Sequence, residues 1–182
     1  MSETMDNEKF EKEALQVVEN FLKSNTQVLI VSGRAGSGKS TLAGKIYELV
    51  NKNNESEYSQ AQILSPTGQS VGLIKQNFPQ IPEQDCQTIY RKIYRRATKN
   101  IDDEDNLIFD FKLNKQEDKN VFIIDDASYI SDEENNRGNL HFGYGKLLTD
   151  LLTSTQIFEK GNVKIIFIGD EYRLLPIRDT SA

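Results

Sequence analysis

The stretch "QVLIVSGRAGSGKS" (Gln27–Ser40) constrains the fold of this chain more than any other. Its first half is a short apolar run without polar alternation, the pattern of a strand covered on both faces. Its second half, "GRAGSGKS" (Gly33–Ser40), fits G-x-x-x-x-G-K-[ST] without a gap. Leu42, Ile46, Leu49 and Val50 then recur at helical spacing. A strand that turns through glycines into a helix gathers backbone N–H groups at the positive end of that helix. Gly33, Gly36 and Gly38 let the backbone curl closely enough for those groups to point inward at phosphate oxygens. Gly33, Arg34, Ala35, Gly36, Ser37, Gly38, Lys39, Ser40 and Thr41 are therefore expected to hold the phosphates of a nucleotide such as ATP. Lys39 sets a compact cation against the β- and γ-phosphates, and Ser40 offers its hydroxyl to Mg2+.

A second feature complements the loop. In "VFIIDDAS" (Val121–Ser128) an apolar run ends in two adjacent carboxylates, Asp125 and Asp126. Paired like charges repel and resist burial, so a core strand has no structural reason to finish this way. A polyphosphate site needs a magnesium ion, and a carboxylate at the C-terminal end of a strand is its usual anchor. Asp125 takes that role, directly or through a water. Asp126 is then placed to orient and deprotonate the water attacking the γ-phosphate. The alternative for Asp126 is a helix cap, for which aspartate is favoured.

The rest of the chain alternates strands with helices. Phe10, Ala14, Val17, Val18 and Phe21 predict an amphipathic helix over 8–23. "AQILSP" (Ala61–Pro66) and "VKIIFIGD" (Val163–Asp170) read as strands alongside "VFIID", with short helices over 69–77 and 87–97. Leu147, Leu148, Leu151, Leu152 and Phe158 predict a further core-facing helix. This pattern implies an α/β fold with a parallel sheet covered by helices on both faces. The acidic segment Asn100–Asn120 departs from it: Leu107, Phe109, Phe111 and Leu113 alternate, as in one edge strand or half a hairpin. With 182 residues and 37% hydrophobic content, one domain with a modest insertion is expected.

Composition narrows the chemistry. A net charge of −6 argues against coating nucleic acid by bulk attraction but leaves room for a local basic groove. "YRKIYRRATK" (Tyr90–Lys99) is the only dense basic stretch. On a helix Arg91, Arg95 and Lys99 would share a face, with Lys92 and Arg96 beside it. That stripe either meets phosphates while Tyr90 or Tyr94 stacks a base, or is a solvated face whose tyrosines pack inward. "DDED" (Asp102–Asp105) reads as a solvated loop. "NKQE" (Asn114–Glu117) precedes the Asp125 strand, whereas a guanine-reading motif would follow it. The single cysteine, Cys86, rules out internal disulfides and fits a reducing compartment. The single histidine, His141, nearly excludes a His-based metal site or a Ser-His triad. The polar, acidic start and the short apolar runs predict a cytoplasmic protein without a membrane span.

Three more stretches complete a set. "SPTGQS" (Ser65–Ser70), "QTIYRKIY" (Gln87–Tyr94) and "GDEYRLLPI" (Gly169–Ile177) accompany "GRAGSGKST" and "IIDDASYIS" in a fixed order. With them the chain resembles the first RecA-like domain of superfamily 1 DNA helicases, with its nearest likeness in the RecD-like branch. The resemblance implies a P-loop NTPase fold and a motor that steps along single-stranded DNA using ATP and Mg2+. It implies that Pro66, Thr67 and Thr88 contact single-stranded DNA, and that Asp170 lies in the motif linking the γ-phosphate to DNA. Arg173 stands where the family has glutamine, Leu175 where it has the first of two prolines, and Asp126 where it has glutamate. Aspartate is one methylene shorter, which implies slower hydrolysis. On this resemblance Arg173 is expected to meet the γ-phosphate as a cation, without positioning a water as glutamine would. The adenine-contacting glutamine has Glu11 as its nearest counterpart. Family motors close ATP against a second RecA-like domain that supplies arginines. The chain stops soon after Pro176, so it is expected to be the ATP-binding half of a longer protein. A non-motor ATP-binding switch is the rival reading. A small-molecule kinase ranks lower, because residues 131–145 offer only Arg137 for a lid.

Overall fold

The computed structural model describes residues 2–34, 36–52, 58, 60–95, 98–101, 107–114, 120–134 and 140–170. In chain order its elements begin with α1 (Ser2–Leu22), β1 (Val28–Ser32), α2 (Lys39–Lys52), β2 (Gln60–Ser65) and α3 (Gly68–Asn77). They continue with β3 (Cys86–Thr88), α4 (Ile89–Ile93), β4 (Thr98–Ile101), β5 (Leu107–Phe111) and β6 (Asn120–Ile124). The last are β7 (Leu140–Phe142), α5 (Leu147–Thr155) and β8 (Lys164–Gly169).

Five strands form one sheet in the order β1-β8-β6-β2-β3, with every neighbouring pair parallel. The expected α/β architecture is therefore present. All five residues of β6 are buried, because helices cover the sheet on both sides. On one face α1, α2 and α3 bury Val18, Phe21, Leu42, Ile46, Val50 and Ile74 against Ile63, Ile123 and Ile166. On the other, Ile89 and Ile93 of α4 and Leu147 and Leu151 of α5 meet Leu64, Phe122, Ile124 and Ile165. Consequently α2, α3 and α4 all begin where a strand ends, at the C-terminal edge of the sheet.

Several local expectations are corrected. β1 is an edge strand rather than one covered on both faces: Val31 is buried, while Ile30 is 62% exposed. Its only ladder among the described strands is with β8. Val17 is half exposed, at the margin of the α1 stripe formed by Phe10, Ala14, Val18 and Phe21. Phe158 lies beyond α5 and is exposed; the left-handed Gln156 (φ 56) ends the helix, and Ile157 is buried instead.

Within the Asn100–Asn120 region the expected half hairpin is present, as β4 and β5, and it lies outside the main sheet. β4 and β5 pair antiparallel, β7 joins β5 in parallel, and the three make a separate small sheet. The helix expected over 87–97 is only α4, five residues long. Tyr94 leaves helical geometry at φ −109, ψ 138, and Arg95 N–H donates to Lys112 C=O at 2.8 Å. The cause lies at a distance. Tyr94 is buried among Tyr90 and Phe142, its hydroxyl donating to Asp150 Oδ2 at 2.6 Å, while Phe111 stacks on Phe142. Hence Arg91, Arg95 and Lys99 do not share a helical face, and Tyr94 packs inward. The "DDED" segment, Arg96, Arg137 and Lys115–Glu117 lie outside the described residues.

Candidate nucleotide site

The loop after β1 is pinned at its start, where Gly33 N–H donates to Gly169 C=O at 3.2 Å. A Cβ on Gly33 would lie 2.7 Å from Ser37 Oγ and 3.2 Å from Phe10 Cζ, so a side chain at the loop's first position would have to displace the Ser37 hydroxyl. Gly36 (φ 79) and Gly38 (φ 81) take left-handed conformations that glycine adopts without steric cost. The chain thereby reverses within a few residues and enters α2 at Lys39. Lys39 Nζ donates to Gly33 C=O and Arg34 C=O, both at 2.7 Å, so its ammonium lies over the loop.

Asp125 follows β6 on the next strand but one. Its N–H donates to Leu64 C=O at 2.9 Å, and its Oδ2 accepts from Ser40 Oγ at 2.8 Å. The residue is 1% exposed, and Oδ1 is buried without a hydrogen-bond partner among the described residues. Burial raises the carboxyl to about 6, opposed by the Ser40 hydroxyl and reinforced by the neighbouring Asp126. Ser37 Oγ is likewise buried without a partner. Buried polar atoms are normally satisfied, and these two lie on the loop and on the acid that faces it.

A cleft of 390 Å³ opens at this edge, lined by Gly36, Gly38, Lys39, Ser40, Thr41, Asp126, Ser128, Tyr129 and Asp170. A family model for an AAA domain matches residues 9–138, more than half of the chain. The chain belongs to the AAA domain family. No curated protein matches it. This AAA domain match takes in the later part of α1, the glycine loop and the paired acids, and the family is a P-loop, nucleotide-binding type. Among the described residues no three His, Cys, Asp or Glu side chains gather to hold a metal. An ion here suits Mg2+, which leans on few carboxylates and takes the rest of its shell from phosphates and water. The unpartnered Asp125 Oδ1 beside Ser40 fits such an ion.

The remaining residues fall around the AAA domain cleft as follows. Asp126 is left-handed (φ 54, ψ 38) and makes no side-chain cap bond, although a short 3-10 turn, Ala127–Tyr129, begins after it. Its Oδ2 accepts instead from Ser70 Oγ. Asp170 lines the cleft at the end of β8. Pro66 and Thr67 follow β2, and Thr67 is the N-cap of α3, accepting from Ser70 N–H at 3.3 Å. Thr88 caps α4, accepting from Arg91 N–H at 3.2 Å, and is in register with Ser65. Both threonines stand on the cleft's side of the sheet without lining it. Glu11 is ion-paired with Lys45 of α2 and does not line the cleft. Ala35, Arg173, Leu175 and Pro176 lie outside the described residues.

Sequence reasoning assigned no role to Ser70, Ser128 or Tyr129. Ser128 and Tyr129 enter the cleft because the 3-10 turn folds the chain back immediately after the acids. Ser70 carries no signal in its type or spacing. Among the described residues no helix is long and apolar enough to cross a membrane.

Proposed function

We propose that this AAA domain is the ATP-binding motor domain of a RecD-like DNA helicase or translocase, coupling ATP hydrolysis to movement on single-stranded DNA. One observation carries the reading. The glycine loop, the Ser40–Asp125 bond with its open carboxylate oxygen, and the turn bearing Pro66 and Thr67 share one sheet edge. The match to a P-loop AAA domain supports the nucleotide half of it.

In this reading the loop N–H groups and Lys39 bind the phosphates, with Lys39 Nζ exchanging the carbonyls of Gly33 and Arg34 for phosphate oxygens. Ser40 and Asp125 hold Mg2+, which when bound neutralises charge developing on the phosphates. Asp126 orients the attacking water and takes its proton. Asp170 and Arg173 respond to the γ-phosphate, and Pro66, Thr67 and Thr88 contact the DNA strand. A second RecA-like domain in a longer protein supplies the arginines that complete the site.

Calorimetry tests the nucleotide half: Mg2+-dependent ATP uptake is expected, lost in Lys39→Ala. Turnover by the full-length protein, with and without single-stranded DNA, tests the motor. Acceleration by DNA supports the proposal, while saturable ATP binding with no turnover under either condition would replace the motor with a switch.

A further inference from the structure

The Asp126 carboxylate is short and sits on a left-handed residue, so its backbone alone does not aim it at a reacting water. Its partner lies on another element. Ser70, 7% exposed in the first turn of α3, donates its hydroxyl hydrogen to Asp126 Oδ2. The same hydroxyl oxygen lies 2.9 Å from Thr67 Oγ1, and Ser70 N–H donates to that oxygen at 3.3 Å. Because Ser70 gives its one hydroxyl hydrogen to the carboxylate, Thr67 is the donor in the Thr67–Ser70 pair. An ordered chain results: the Thr67 hydroxyl to Ser70 Oγ, and the Ser70 hydroxyl to Asp126. It joins the β2–α3 turn to the acid lining the cleft through three side chains and no intervening backbone.

We propose that Ser70 is a positioning residue that sets the aim of Asp126 and ties it to the conformation of the turn carrying Pro66 and Thr67. The proposal rests on the assignment of Asp126 as the residue that activates water. Its physical content is a linkage. A ligand that recruits the Thr67 hydroxyl, such as the phosphate oxygen of a polynucleotide, removes a donor from Ser70 and changes the second bond of the chain. By reciprocity, a change at Asp126 is felt in the first turn of α3. Among the described residues the side-chain hydrogen bonds of Ser70 go to Thr67 and Asp126, not to the loop or Asp125, so its effect falls on the rate of the reaction rather than on nucleotide affinity.

The test uses the full-length protein carrying Ser70→Ala, Ser70→Thr, Asp126→Asn or both Ser70→Ala and Asp126→Asn. Ser70→Ala is expected to lower kcat about tenfold, corresponding to about 1.4 kcal/mol, while the affinity for Mg2+-ATP stays within about twofold. Ser70→Thr keeps the hydroxyl and is expected to recover most of that rate. The double variant is expected to be no slower than Asp126→Asn alone, since the two residues act as one unit. A second measurement is independent of turnover. Amide exchange of Ser70 and Val71 in nucleotide-free protein is expected to quicken in Asp126→Asn but not in Lys39→Ala. Wild-type kcat in Ser70→Ala, additive losses in the double variant, or unaltered exchange in Asp126→Asn overturns the proposal. If ATP is neither bound nor hydrolysed, the functional reading falls by itself, and the exchange measurement still decides whether Ser70 joins the turn to Asp126.

Discussion

Two buried aspartates make an instructive contrast. Asp125 and Asp150 are 1% and 0% exposed, and burial is the main cause raising both carboxyls above the ordinary aspartate range. Asp150 is fully engaged: Oδ2 accepts from the Tyr94 hydroxyl at 2.6 Å and Oδ1 from Tyr144 N–H at 2.8 Å. It fastens α5 to the aromatic cluster beneath the small sheet. Asp125 has one oxygen on Ser40 and the other buried without a partner. The same residue type at the same depth is a structural tie where its bonds are complete, and a prospective ligand where they are not. Burial alone does not separate the two; the count of satisfied oxygens does.

The sharpest way to break this contrast is to remove each carboxylate. Asp150→Ala leaves a tyrosine hydroxyl and a backbone N–H without their acceptor. It is expected to cost about 3 kcal/mol in denaturant unfolding. Gly143→Ala reaches the same tie from the other side. A Cβ there would lie 2.6 Å from Asp150 Oδ2, on a residue at φ 51. A loss of about 2 kcal/mol is expected.

Asp125→Asn should go the other way, stabilising the nucleotide-free protein by about 1 kcal/mol at pH 7 while abolishing Mg2+-dependent nucleotide uptake. The sign follows from its proton. Folded Asp125 keeps it up to about pH 6, against a reference of 3.8, so folding retains a proton that the unfolded chain has released. Stability of the wild type therefore falls as pH rises through that window. The advantage of Asp125→Asn is expected to vanish below about pH 4 and to be fully developed at pH 7, as thermal melts across that range will report. The smallest effect is reserved for Glu11→Gln, which breaks the partly exposed pair with Lys45 and is expected to cost no more than about 0.5 kcal/mol. A loss there as large as that of Asp150→Ala would undo the distinction between complete buried ties and surface pairs.

What the sequence revealed depended on whether the cause was local. The glycine loop and paired acids were legible because their geometry is dictated by neighbours in sequence: positive φ at Gly36 and Gly38, and a buried strand running into charge. The parallel sheet followed from unbroken apolar runs. The end of α4 was not legible, since the pull on Tyr94 comes from Phe142 and Asp150, about fifty residues away. Nor was the open face of β1, because an apolar run states what is worth burying and not what arrives to bury it. Ser70 is the extreme case. A serine in a first helical turn is ordinary, and its bond to Asp126 is created only when β2 and β6 lie side by side.

The common starting edge of α2, α3 and α4 has an electrical consequence. The positive ends of these helices and Lys39 gather at an edge that also carries Asp125, Asp126 and Asp170, on a molecule whose net charge is −6. A polyanion is repelled by most of the surface and finds its donors where Lys39 lies over the glycine loop, so the acidic remainder acts as a guide rather than an obstacle. Added salt should weaken that guidance first at long range, slowing capture before it loosens the bound state.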